Sequence, residues 1–351
     1  WHTLSLHDAL PIWHIRAFPE RQHNDGYFES QEGEWDSNGQ VLWLVDRWSR
    51  TSGKTVEGDL LRSMQRGADW IEGKRIKREG DPLRKGLLPA GFSAEHLGPN
   101  DYYYWDDFWA IAGLKAASAM AKEAGLDGSA LAYLRQSEDM ENAVFRSIAS
   151  IPEWQSRGCI PASPLRRVDS GAIGSMVADY PLMITPPGDI RIMNTLEYIV
   201  ANCFYEGGCF HDMVHCGINV YLTLALAQTM LRAGDSRFAE LLSTVAGLAT
   251  PTGTWPEAVH PFSGGGCMGD GQHGWAAAEW VMLIKNLFVR EEKDAIVLGS
   301  GLLPRWIGEE AFFGPTATLY GEVFFSVSRD NGGLAVNVDR KSTRLNSSHY
   351  S

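Results

Sequence analysis

Two stretches of this chain are apolar on nearly every side over helical length: His215–Arg232 (HCGINVYLTLALAQTMLR) and Trp275–Arg290 (WAAAEWVMLIKNLFVR). A helix that is apolar all round is buried all round, so a chain carrying such helices must wrap them in a second layer. The sequence supplies one. Gly39–Ser52 and Asp59–Lys74 carry apolar residues at three- and four-residue spacing, as half-buried helices require. Tyr104–Ala124 follows, with Asn100 and Asp101 ahead of it as candidate caps, Lys122 in its last turn and Gly125 as a stop. Further helices are expected at Ser129–Ser150, Ala172–Tyr180 and Thr195–Phe204, with amphipathic Ser236–Leu248 in the outer layer. No period of twenty to fifty residues recurs, which argues against a solenoid. Inner and outer helices joined by long, motif-rich loops predict an all-α fold, an (α/α)6 barrel or six-hairpin toroid, over residues 35–292. Residues 13–34 read as an irregular segment with one strand and a long loop. After Lys293 the chain turns to Gly, Pro and short alternating runs. Tyr320–Arg329 and Gly333–Val338 read as strands there, so residues 293–338 are expected to begin a β-domain.

The termini are of another kind. TLSLHDALPI (Thr3–Ile12) and the run from Asp339 to Ser351, with DRKSTRLNSSH, resemble translated reading frames of short-read sequencing adapters. Residues 1–12 and 339–351 are therefore set aside as scars, and the rest reads as a fragment cut from a longer gene, as in metagenomic assemblies. Segments without an evolved partner surface are not expected to pack on the core.

Charge narrows the partners. The whole chain has 31 Lys and Arg against 43 Asp and Glu. Without the scars the balance is 28 against 41, still acidic, which argues against nucleic acid or an anionic membrane surface as partner. No run approaches the roughly 18 consecutive apolar residues of a membrane span. The five cysteines are odd in number and lack CxxC spacing, which favours reduced thiols in a cytoplasm. The aromatic content points to carbohydrate. Many of the 13 Trp, 11 Tyr and 14 Phe stand beside Asp, Glu, Gly and Asn, where rings can stack on sugar C–H faces while polar neighbours bond the hydroxyls.

Three segments concentrate acids, aromatics and glycines ahead of expected helices: Glu34–Gln40 (EWDSNGQ), Gly98–Trp109 (GPNDYYYWDDFW), and Trp255-Pro256-Glu257 through His260, Gly264–Gly266, Asp270 and His273 to Trp275. Helix starts favour negative charge. Acid/base hydrolysis of a glycosidic bond needs one carboxyl kept protonated by burial and a like-charged neighbour, and another kept ionised. Asp106, with Asp107 beside it, fits the acid, and Glu257 fits the base. Asp169 is the reserve acid.

The order WDSNGQ, YYYWDDFW, HCGINVY, WPEAVHP and HGWAAAEW resembles the six-hairpin glycosidases, the superfamily of glucoamylases, trehalases and glycogen-debranching glucosidases, over about Glu34–Arg290. Trp105-Asp106-Asp107 is similar to the Trp-Glu-Glu of glucoamylases, and Trp105-Asp106 to the Gly-Trp-Asp of trehalases; both place the acid at Asp106. Glu257 resembles the general base, and Trp35-Asp36 a loop that grips the sugar in subsite −1. The resemblance implies an inverting, exo-acting glycoside hydrolase on α-glucosides, with no cofactor. Its substrate-binding set is Trp35, Asp36, Tyr104, Trp105, Asp107, His215, Asn219, Asp270, His273 and Trp275. Asp-Asp in place of Glu-Glu, and the long GGGCMGDGQHGW turn, depart from the family pattern and leave the sugar open.

Other chemistries remain on the table. Cys209, His211, Asp212, His215 and Cys216, with Cys267, could serve a zinc-dependent α/α-toroid enzyme if His211 and His215 stood at i, i+4 on a helix, although the zincin Glu is missing. Polar groups lining a sugar pocket account for the same residues. A glycan-binding barrel without catalysis is the third reading.

Overall fold

The computed structural model describes residues 13–77, 80–92, 98–213, 217–269, 271–308, 310–330 and 333–341. Two compact units divide the chain. One holds residues 1–49 and 54–177, the other 50–53 and 178–351.

The first unit is built from α1 (Asp36–Ser52), α2 (Gly58–Lys74), α3 (Tyr104–Glu123) and α4 (Asp127–Ser150). The expected strand before them is absent among the described residues, and a short helical turn, Phe18–Arg21, packs on α2 in its place. Helix α3 is the centre: Tyr104, Phe108, Ile111, Leu114 and Met120 are fully buried, and Gly125 (φ +74°) reverses the chain into α4. Asn100 and Asp101 do not cap α3; Tyr103 stands at the cap position with no side-chain bond, and Asp106 and Asp107 occupy the first turn.

Helix α1 meets α3 backbone to backbone. A Cβ on Gly39 would lie 2.3 Å from the Trp109 carbonyl, and one on Gly113 2.7 Å from the Cα of Gly39. Nothing at either contact is a flexible side-chain end that could move aside. The glycine in WDSNGQ is therefore a packing requirement, and it holds the start of α1 against the start of α3.

The first unit closes on a 3₁₀ segment, Ser170–Ala178, where a continuous helix was expected from Ala172 to Tyr180, and the second unit continues to α5 (Ile190–Asn202). Then come α6 (Val220–Ala233), α7 (Phe238–Gly247) and α8 (Gly274–Phe288). Asn219 caps α6 by accepting from the Leu222 N–H at 3.0 Å, and Gly234 in the left-handed region ends it. Helix α6 is buried on nearly all sides, as its composition requires. Helix α8 is not. It packs on α6, and Val281 stays 64% exposed, which corrects the all-round burial expected of it. An apolar surface indicates what a helix can bury, and the neighbours decide how much it does.

Short strands form where long, motif-rich loops were expected between the helices. β1 (Phe204–Tyr205), β2 (Gly208–His211), β3 (Gly217–Asn219), β4 (Ala258–Val259) and β5 (Gly266–Met268) form an antiparallel sheet in that order. β6 (Val289–Glu291) pairs with β7 (Ile296–Leu298), so strand structure begins before Lys293. β8 (Glu310–Thr318), β9 (Gly321–Asp330) and β10 (Gly333–Lys341) form the C-terminal sheet around Val289, Ile307, Val323, Phe325 and Val327. Strand β10 runs past the expected boundary at Val338, with Asp339, Arg340 and Lys341 opposite Phe324, Val323 and Glu322. Ladder pairing uses backbone groups that almost any residue supplies. Residues 1–12 and 342–351 lie outside the described residues.

Helix propensity and packing oppose each other at Gly39. Ala at an open helical glycine gains up to about 1 kcal/mol, whereas forcing a methyl into closed packing costs about 1–3 kcal/mol. Gly39→Ala is therefore expected to lower the urea midpoint. Gly73→Ala, where a Cβ meets nothing within 4 Å, is expected to leave it unchanged or raise it. A raised midpoint in Gly39→Ala would contradict the close contact.

Candidate active site

In the first unit each residue of the WDSNGQ run has a distinct task. Asn38 accepts from the Phe28 N–H at 2.8 Å and donates to the Gly26 and Gly67 carbonyls, both at 3.0 Å, which ties the incoming loop to α2. The Ser37 hydroxyl donates to the Phe28 carbonyl. Trp35 lies over the backbone of Gly91, and the Lys74 ammonium sits 3.8 Å from its ring centroid. Trp70 and Tyr27, stacked 4.6 Å apart, flank it. Asp36, so placed, is buried and accepts from the Trp105 indole at 2.7 Å and the Gln40 amide at 2.8 Å. Burial pushes Asp36 up to about 6 against the pull of the Trp105 bond, with Glu34 adding to the rise.

Asp106, one residue on from Trp105, is buried, and among the described residues neither of its carboxyl oxygens has a hydrogen-bond partner. Burial raises it well above the ordinary carboxyl range, and the charges of Asp36, Asp107 and Glu34 raise it further. The α3 N-terminus favours the anion by up to about 2 kcal/mol, too little to offset loss of water and three acidic neighbours. Both effects favour the protonated form of Asp106. Asp107 has a different job: it accepts from the Leu88 N–H at 2.8 Å, fastening the 86–89 loop to α3. Burial lifts it to about 8, opposed by that bond and by Arg75. Glu34 is buried and bonded to Ser30 and Gln31.

Tyr104 is committed to the α3–α4 core, fully buried with its hydroxyl 2.7 Å from that of Ser147. Asp169 pairs with Arg166 at 2.5 Å and accepts from the Gly171 N–H at 2.9 Å, so its oxygens serve its own loop.

In the second unit the sheet gathers the remaining residues. Asn219 of β3 lies opposite Ala258 of β4, which places Glu257 next to the start of α6. Glu257 is partly buried and lies over Gly269, where a Cβ would come 2.9 Å from its own Cβ. His273 donates its backbone N–H to the Trp255 carbonyl at 2.8 Å and caps α8. Tyr221 stacks on Trp275 at 4.5 Å and lies 5.2 Å from the His273 ring. Asn219, Glu257, His273 and Trp275 thus gather where α6 and α8 begin. His215 and Asp270 lie outside the described residues.

Of the candidate metal ligands, His211 ends strand β2, and His215 and Cys216 lie outside the described residues. Among the described residues no group of His, Cys, Asp and Glu side chains is placed to hold a metal ion. Burial pushes the Cys209 thiol up, away from the thiolate a metal needs.

Sequence reasoning passed over Gln40 and Glu279. Gln40 stands four residues after Asp36, and Glu279 four after Trp275, the spacing that puts two side chains on one helix face. An acid inside an otherwise apolar helix was the signal at Glu279.

The helical scaffold is similar in fold to solved structures of glycosidases and glucoamylases. No protein-family model and no curated protein sequence matches the chain. Among solved structures it is similar to the glucoamylase from Saccharomycopsis fibuligera, with a TM-score of 0.59 and 9% identity over 77% of this chain and 78% of that one. A wild-type glycosidase gives 0.55 at 17% identity, covering 72% of this chain and 67% of that one. A bacterial glucoamylase complexed with acarbose gives 0.51 at 15%, with 72% and 40% covered. At these identities the likeness is one of fold, and it supports the α/α toroid expected from the sequence.

A carboxyl whose folded-state value is raised keeps its full stability contribution below its unfolded value, about 3.9, and loses it as pH rises through the folded value. For Asp107 that window runs from about 4 to about 8. Asp107→Asn keeps the acceptor for Leu88 and cannot ionise. Its melting temperature relative to wild type is therefore expected to climb by several degrees between pH 5 and pH 8 and level off above that. A gap independent of pH would contradict the raised value.

Proposed function

We propose that this chain carries the catalytic helices of an inverting glycoside hydrolase, exo-acting on α-glucosides. The observation that carries the proposal is Asp106: buried, without a hydrogen-bond partner among the described residues, raised well above the ordinary carboxyl range and next to Asp36, which the Trp105 indole holds. A general acid needs that combination, a proton retained near pH 7 and a carboxyl not committed to the fold. Asp106 delivers its proton to the glycosidic oxygen as the bond from the anomeric carbon to that oxygen breaks. The base, which we assign to Glu257, takes a proton from the water that attacks the anomeric carbon from the opposite face, inverting its configuration. Asp36, fixed by Trp105 and Gln40, binds sugar hydroxyls, with Trp35, Trp105, Asn219, His273 and Trp275 as further contacts. The names of the structural neighbours and the acidic, aromatic-rich sequence support a carbohydrate substrate, and none of these steps calls for a cofactor.

Asp106→Asn and Glu257→Gln are each expected to lower kcat on an unactivated α-glucoside by more than about a hundredfold with sugar affinity largely kept. A glycosyl fluoride, whose leaving group needs little protonation, should rescue Asp106→Asn far more than Glu257→Gln. Asp36→Asn should raise KM as well as lower kcat, since its bonds form in the ground state too. Proton NMR of the released sugar should show the inverted anomer. Retained configuration would exclude the inverting mechanism, and wild-type turnover in Asp106→Asn would remove Asp106 as the acid.

A further inference from the structure

Beside the chain segment that carries Glu257, the second unit gathers a group of rings for which the chemistry at the anomeric carbon has no use. Phe262 stands in the turn between β4 and β5 and is 82% exposed. Tyr205 of β1, itself 39% exposed, meets it edge-on with ring centroids 6.1 Å apart, and the His260 ring lies 5.8 Å from it. Phe210 of β2 backs Tyr205 at 6.0 Å. Apolar residues scattered singly over a surface need no explanation. Rings from separate strands that converge on one exposed phenyl group are a different case.

The turn is built to hold that ring out. The His260 N–H donates to the Gly265 carbonyl at 2.8 Å, and the Gly264 N–H donates to the His260 carbonyl at 2.9 Å, with Gly264 at φ +67° reversing the chain. His260 Nδ1 accepts from the backbone N–H groups of Phe262 and Ser263 at 3.2 and 3.3 Å. A ring whose Nδ1 accepts carries its hydrogen on Nε2, so a polar donor stands in the ring group. The base of the hairpin is fastened to the segment that carries Glu257. A Cβ on Gly266 would lie 2.9 Å from the Pro256 Cβ, and one on Gly269 2.9 Å from the Glu257 Cβ. Five residues of chain separate Glu257 from Phe262, a reach of at most about 18 Å.

A stable protein interface needs about 800 Å² from each partner. One exposed phenyl rimmed by Ser263 and Gly264–Gly266 is far too narrow for that, and it matches the face of a single pyranose, whose C–H groups stack on a ring while its hydroxyls take donors. An exo-acting site holds one sugar at its end and lets the rest of the chain run outward. We infer that Phe262, supported by Tyr205 and His260, is a stacking platform for the outward sugars of a linear α-glucan, which makes oligosaccharides rather than single-sugar glycosides the preferred substrate class. This inference rests on the carbohydrate reading proposed above and deepens it. Phe262→Ala removes the platform and Phe262→Tyr keeps it. Because the ring is exposed, neither substitution disturbs a buried core.

The test compares chain lengths. By calorimetry the wild type should bind maltoheptaose more tightly than maltose. Phe262→Ala should weaken maltoheptaose about fivefold to tenfold, the size of one aromatic contact, and maltose by less than about twofold, while Phe262→Tyr stays within about twofold of wild type on both. A wild type that binds maltoheptaose no better than maltose would overturn the platform, as would a maltoheptaose affinity unchanged in Phe262→Ala. Light scattering that shows a wild-type dimer falling to a monomer in Phe262→Ala would assign the ring to self-association and overturn it too. Turnover of p-nitrophenyl α-glucoside separates this inference from the reading beneath it. Turnover without any gain from chain length would keep the glycosidase and remove the platform, whereas Phe262-dependent maltoheptaose binding without turnover would keep the platform and count against catalysis.

Discussion

Loss of water around the carboxyl groups at the start of α3 governs the site. Glu34, Asp36, Asp106 and Asp107 are all buried, and so many negative charges in so dry a place cannot all be ionised. The chain settles the conflict by giving them unequal partners. Glu34 has Ser30 and Gln31, Asp36 has Trp105 and Gln40, and Asp107 has the Leu88 N–H and the more distant Arg75. Asp106 has none among the described residues, and burial with its acidic neighbours raises it well above the ordinary carboxyl range.

That division depends on the helix contact beneath it. Asp36 reaches the Trp105 indole because α1 and α3 touch at Gly39, Trp109 and Gly113. Asn38 fixes the strand of chain that feeds α1, and Leu88 fixes the loop that follows α2. Packing and electrostatics are thus one arrangement. A change that separates the two helices would move Asp36 from Trp105 and alter the charge felt by Asp106.

Much of this was legible in the sequence where the signal is periodic. The helices at Asp59–Lys74, Tyr104–Ala124 and Ser129–Ser150 fall within two residues of the observed spans, because long amphipathic patterns leave little choice. The motifs around Asp36 and Asp106 were visible as acids beside aromatics at helix starts. Strands β1 to β5 were not, since two to four residues are too few to show an alternation, and their pairing is fixed by partners distant in sequence. The exposure of α8 was also hidden, because composition does not state what lies opposite. Tyr104 read as a binding residue beside Trp105, yet its position on α3 sends it to Ser147, a contact set by the α3–α4 crossing.

The most direct measurement is the titration of Asp106 itself. With the aspartate side-chain carboxyl carbons ¹³C-labelled, the Asp106 resonance, identified by its absence in Asp106→Asn, is followed from pH 3 to pH 9. The account predicts that it titrates well above the ordinary carboxyl range. A midpoint near 4 for Asp106 would mean that it is ionised at neutral pH, and the assignment of the acid would have to be given up.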